Sequence, residues 1–193
     1  MQQLLTRREF IERSLAGGVA ASLLPGLGQR GGYDSQFFGR VTASSIRVWD
    51  KPANDAHEIY RIGRDNIIQL YEEMDIDGYR NPRWYRVWGG YVHSSYIQPV
   101  QFNYQENLAT IPESGCLFEV SVPYTRSLRI NRGQWVKNYR LYFNSTHWVT
   151  HIVQGPDGRQ WYAIKDSYGR NYYARTGHLR KIEASELAPI SPE

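Results

Sequence analysis

From residue 41 onward, apolar and polar positions alternate over short distances and are broken every few residues by turn formers. Val41-Thr42-Ala43, Ile46-Arg47-Val48-Trp49, Ile67-Ile68-Gln69-Leu70-Tyr71, Trp84-Tyr85-Arg86-Val87-Trp88 and Tyr91-Val92 read as strands. Asp50-Lys51-Pro52, Asp77-Gly78, Asn81-Pro82 and Gly89-Gly90 punctuate them. Period-two alternation puts Trp84 and Arg86 on one face and Tyr85 and Val87 on the other, so one face can enter a core while the other stays available. Gly89-Gly90 permits the reversal that returns Tyr91-Val92 alongside. The same texture resumes in Gly115-Cys116-Leu117-Phe118-Glu119-Val120, Tyr139-Arg140-Leu141-Tyr142-Phe143 and His147-Trp148-Val149-Thr150, with a turn at Gly155-Pro156-Asp157-Gly158.

The chain also echoes itself. Trp161-Tyr162-Ala163-Ile164 lies on Trp84-Tyr85-Arg86-Val87, and Tyr173-Ala174-Arg175-Thr176-Gly177-His178-Leu179 lies on Tyr91-Val92-His93-Ser94-Ser95-Tyr96-Ile97. Repetition at this distance predicts two tandem modules. With 193 residues, 41% hydrophobic, 22% charged and 14% aromatic, the chain has the composition of a soluble, strand-rich protein. Of the net charge of +4, residues 1–30 hold +2 through four Arg against two Glu, leaving +2 on the rest. So weak a balance excludes nucleic acid as the expected partner.

Residues 1–30 read as an address rather than as fold. Arg7 and Arg8 are followed by a mildly apolar run, Leu15-Ala16-Gly17-Gly18-Val19-Ala20-Ala21-Ser22-Leu23-Leu24, and then by Pro25-Gly26. That run falls short of the ~20 residues that span a bilayer. It resembles the twin-arginine export signals of bacteria, which implies the twin-arginine translocase as a partner and an extracytoplasmic destination in the envelope, periplasm or wall. The alternative is an amphipathic N-terminal helix. No clear Ala-x-Ala cleavage site follows, which leaves a membrane tether through an uncleaved signal open.

Ile46-Arg47-Val48, Pro52, Trp84-Tyr85-Arg86-Val87 and the ending Gly90-Tyr91-Val92-His93-Ser94-Ser95-Tyr96-Ile97 together resemble the bacterial SH3 family. The resemblance implies an all-β fold of two SH3-like small barrels: a signal and joint at 1–32, a module at 37–100, a second and divergent one at 113–183, and a Pro-containing linker at 184–193. The part after the signal is similar to the non-catalytic region preceding the catalytic domain in exported L,D-transpeptidase-like proteins. That implies a role in peptidoglycan binding or scaffolding, with peptidoglycan or a wall peptide as the partner. The alternative is the accessory region of a longer cross-linking enzyme.

No catalytic constellation accompanies these patterns. Ser114-Gly115-Cys116-Leu117 resembles the transpeptidase cysteine signature, but Phe118 stands where Arg is needed, so Cys116 is expected as a buried structural thiol. His147 and His151, four apart on a strand, are expected on one side, yet no third metal ligand stands at a recognisable spacing. Neither metal nor cofactor is expected. Glu72-Glu73 and Asp75-Asp77 read as an acidic turn. The aromatic surplus carries the binding expectation: Trp84, Arg86, Trp88, Tyr91 and Tyr96 are the candidate ligand residues, against the alternative that most of these rings fill cores.

Overall fold

The computed structural model describes residues 37–53, 55–78 and 81–187. The Arg7-Arg8 signal and the joint fall outside them, as does the end of the linker. The fold is all-β. Eight strands come first: β1 (Phe37–Val41), β2 (Ser45–Trp49), β3 (Glu58–Gly63), β4 (Ile67–Leu70), β5 (Glu72–Asp75), β6 (Arg83–Val87), β7 (Gly90–His93) and β8 (Ile97–Val100). They form two antiparallel sheets, β4-β1-β8 and β3-β2-β7-β6-β5. Val41, Leu70 and Ile97 from the first sheet meet Ile46, Val48, Tyr85, Val87 and Val92 from the second in one buried cluster.

Seven more strands follow: β9 (Cys116–Val120), β10 (Tyr124–Asn131), β11 (Gln134–Tyr142), β12 (Thr146–Gln154), β13 (Gln160–Lys165), β14 (Asn171–Arg175) and β15 (Leu179–Lys181). They make a single sheet ordered β11-β10-β14-β13-β12-β9-β15. Along β13 the alternation serves two cores: Tyr162 and Ile164 join Phe118, Val149 and Leu179, whereas Trp161 and Ala163 join Tyr173. A strand buried on both faces carries the unbroken apolar run Trp161-Tyr162-Ala163-Ile164. Among the described residues no sheet closes on itself, since each hydrogen-bonded order ends in two edge strands.

The internal echo has a structural counterpart. In the first half β6 and β7 form a hairpin, a 3₁₀ turn (Ser94–Tyr96) follows, and β8 pairs with the opening strand β1. In the second half β13 and β14 form the hairpin, the 3₁₀ turn is Thr176–His178, and β15 pairs with the opening strand β9. Gly90 marks the tight point of the first hairpin, because a Cβ there would stand 2.4 Å from the Trp49 carbonyl oxygen.

Three expectations need correction. Glu72, Glu73 and Asp75 lie in a strand and only Asp77 in a turn: β5 pairs with β6, and its carboxylates meet Arg86 at 3.3 Å (Glu72) and Arg83 at 3.0 Å (Glu73) and 3.6 Å (Asp75). Cross-strand opposite charges make an acidic strand acceptable beside a basic one. On the face of β6 expected to stay available, Arg86 is exposed but Trp84 is buried, while Tyr85 and Val87 enter the core from the other face. Finally, His147 and His151 do not share a face. A bulge between Val149 and His151 pairs Val149 with Ile164 but His151 with Ala163, which belong to opposite cores. One extra residue inverts everything beyond it.

All described strands belong to one compact unit, and polar contacts join its halves. Arg40 donates to Asp65 at 2.7 Å, Arg140 pairs with the other Asp65 oxygen, and the Tyr142 hydroxyl donates to that oxygen at 3.4 Å. The Arg40 guanidinium lies 4.1 Å over the Tyr142 ring, and Gln98 donates to the Phe143 carbonyl at 3.3 Å.

Candidate functional site

On the first half, a groove of about 610 Å³ opens where β2, β3 and the end of β7 converge. Trp49 and Tyr96 supply its aromatic surface, Arg47 and Arg61 its cations, and His93 and Ser95 its polar wall. Strand alternation places Arg47 and Trp49 on the same side of β2, and the Arg47 guanidinium lies 5.4 Å from the Trp49 ring. Both arginines are held by one carboxylate: Glu58 receives Arg61 at 2.7 Å and Arg47 at 3.0 Å. The hydrogen bond from Arg61 holds the Glu58 carboxyl below its usual range, so the group stays ionised.

His93 is part of the wall rather than a free base. Its Nδ1 accepts from the Ser95 amide at 3.2 Å, which leaves Nε2–H to donate to the Asn81 carbonyl at 3.0 Å. With both nitrogens occupied it has no lone pair for a substrate proton.

The five residues singled out from the sequence are dispersed. Tyr96, 53% exposed, lines the groove. Tyr91 is half-buried and sits across from Trp49 on one side and Arg86 on the other. Arg86 lies on the open face of β6, bonded to Glu72 and 5.3 Å from the Tyr71 ring. Trp88 stands at the hairpin tip, 78% exposed. Trp84 is fully buried and edge-on to His93 at 5.1 Å, so it offers no ring face to a ligand. The sequence marked neither Arg47 nor Glu58 as a site residue, and the structure joins them to Trp49 and Arg61 in one cluster. The available signal was the pairing of Ile46-Arg47-Val48-Trp49 with the alternating Glu58-Ile59-Tyr60-Arg61, a strand that had not been singled out.

The second half contains a Ser-His-Tyr chain that resembles catalytic equipment in composition only. Ser145 Oγ lies 2.6 Å from the Tyr142 carbonyl and 2.8 Å from His147 Nε2, and His147 Nδ1 lies 2.8 Å from the Tyr172 hydroxyl. A carbonyl can only accept, so the single Ser145 proton goes to it. The Ser145 oxygen then accepts from Nε2–H, and Nδ1 accepts from Tyr172. The serine proton therefore points away from the imidazole, the reverse of what an activated nucleophile requires. Burial pushes the His147 pKa down to about 4, which keeps the ring neutral, and pushes the Tyr172 hydroxyl up.

Cys116, half-buried at the start of β9, packs against the same core. Burial raises its thiol, and the charges acting on it are Lys181 and Glu183 rather than an imidazole. Such a thiol is a poor nucleophile at neutral pH.

No protein-family model matches the chain, and no curated protein is similar to it at a significant level. Among solved structures it is similar to two proteins of Trichomonas vaginalis named NlpC2 and NlpC1, at 15% identity each and TM-scores of 0.27 and 0.25. The matches cover 82% and 81% of this chain and 52% and 51% of theirs, so the chain spans about half the length of these proteins. A likeness at that level leaves the function to the residues themselves.

Proposed function

We propose that the chain is an exported bacterial cell-envelope protein whose two SH3-like modules, residues 37–100 and 113–183, bind wall material and perform no chemistry of their own. The observation that carries this reading is the groove holding Trp49 and Tyr96 beside the Arg47-Glu58-Arg61 cluster. Its volume suits a short stretch of peptide or glycan. Aromatic faces give contact area to a sugar ring or an extended chain, and the fixed guanidinium groups give hydrogen-bond donors around it. The committed hydrogen bonds of His93 and His147 and the raised Cys116 thiol support a holding role.

Retention of the full chain on purified peptidoglycan is the test. The native protein is expected to sediment with the polymer, and Trp49→Ala combined with Tyr96→Ala to lower retention by about tenfold, the loss of roughly one strong aromatic contact. Retention no greater than that of heat-denatured protein would sink the reading. For the address, replacing Arg7 and Arg8 by Lys is expected to leave the protein in the cytoplasmic fraction; unchanged export overturns the twin-arginine assignment.

A further inference from the structure

A second groove, of about 410 Å³, lies on the seven-stranded sheet and has no part in the reading above. Its floor is apolar: Trp161 is almost fully buried, and Leu128 and Tyr124 are half-buried beside it. Its rim is cationic, formed by Arg126, Lys137 and Arg175. Asp157 is the one carboxylate among the lining residues, and it is already engaged, accepting from Trp161 Nε1 at 2.8 Å and standing 3.5 Å from Arg175. The hydrogen bond from Trp161 keeps Asp157 ionised, so its charge offsets Arg175 and no more.

Arg126 and Lys137 are left as the excess. Arg126 donates to the neutral Asn138 carbonyl at 3.2 Å, and Lys137 faces Leu128 across the hairpin. The β10-β11 hairpin could not have supplied partners, since residues 124–142 hold four Arg and one Lys and no Asp or Glu. Of these, Arg140 is bound to Asp65.

We propose that this groove is a binding site for a small amphipathic carboxylate, with the apolar body on Leu128 and Trp161 and the carboxylate between Arg126 and Lys137. A guanidinium fork matches a carboxylate bidentately, and the ammonium adds a point charge from the other side. The apolar floor favours a carboxylate on an aliphatic or ring body over a phosphate dianion, whose desolvation costs more. Because the Trp161 indole N–H is committed to Asp157, Trp161 contributes contact area rather than a hydrogen bond. The carboxylate can come from a peptide end or side chain or from an acidic sugar.

Titration of the full chain, followed at the Trp161 indole N–H resonance, separates these cases. The probes are N-acetyl-leucyl-glutamate and glucuronate, with N-acetyl-leucinamide as the uncharged control. At least one acid is expected to give a saturable shift, with the control at least about tenfold weaker. Which acid binds more tightly identifies the source. Arg126→Gln with Lys137→Gln is expected to weaken binding by about tenfold or more, and raising salt from about 0.05 M to about 0.5 M to weaken it several-fold. Exchanging the two cations, Arg126→Lys with Lys137→Arg, keeps the charge and is expected to keep binding within a few-fold. Trp49→Ala, in the other groove, is expected to leave it unchanged. No saturable response, equal affinity for the uncharged control, or native affinity in the double Gln variant each overturns the proposal.

Discussion

His147 shows how burial fixes the role of one side chain. Its pKa in the fold is about 4, against an ordinary 6.5, because burial disfavours the imidazolium. Below pH 6.5 the unfolded chain takes up a proton that the folded ring refuses, so stability falls as pH drops from 6.5 toward 4 and is fully present above 6.5. After discounting for partial exposure, the loss should be about 2 kcal/mol. His178, lowered by burial as well, acts in the same direction. Urea denaturation at several pH values should show this slope, and His147→Gln should flatten it; an equal slope in the variant would count against the buried neutral ring. Gly90 tests packing without charge: Gly90→Ala places a methyl against the Trp49 carbonyl oxygen and 2.8 Å from Val48 Cγ1. The backbone must shift, and a loss of about 2 kcal/mol in denaturant unfolding is expected. The need for a small residue at Gly90 was legible in the sequence as a reversal signal. The chemistry of His147 was not, because its partners Ser145 and Tyr172 come from a turn and from a strand 25 residues away.

At the scale of elements, local chemistry did most of the work. Gly-Pro-Asp-Gly, Gly89 and the longer Ser167-Tyr168-Gly169-Arg170 segment all sit in the turns between strands, since Gly and Asp stabilise reversals through their own backbone geometry and side-chain bonds. Asp166 is the clearest case: its carboxylate accepts from the Tyr168 amide at 2.9 Å and the Arg170 amide at 2.8 Å. Asp166→Ala should speed hydrogen exchange at those two amides while leaving the amides of β13 in the core protected; uniform exchange across the sheet would contradict a local role. What escaped were strands whose polar residues looked like loop. β5 is acidic and β10 is basic, and each is stabilised by its neighbour rather than by its own composition. The bulge in β12 escaped for a related reason: nothing in His147-Trp148-Val149-Thr150-His151 announces the extra residue, which is set by the register of β13.

For the whole molecule, the decisive contact is the Arg40-Asp65-Arg140 cluster, which ties the turn after β3 to β1 and to β11, 75 residues further along the chain. Asp65 and Arg40 are both buried, so removing the shared carboxylate leaves the Arg40 guanidinium away from water without its counter-charge. Asp65→Asn keeps a residue tolerant of the left-handed backbone found there, at φ 64°. It should cost about 3 kcal/mol and convert one cooperative unfolding transition into two, read by separate fluorescence and amide-exchange probes. A single transition with unchanged midpoint would mean that the cluster does not couple the halves. The sequence by itself determined that this chain is all-β, where most of its strands and reversals lie, and that a hairpin ending recurs. Those features depend on period-two alternation and turn chemistry, which act within a few residues. The tertiary structure alone decided which rings are buried, which face each histidine takes, and which charges meet, because burial and ion pairing depend on distances between residues that the chain keeps far apart.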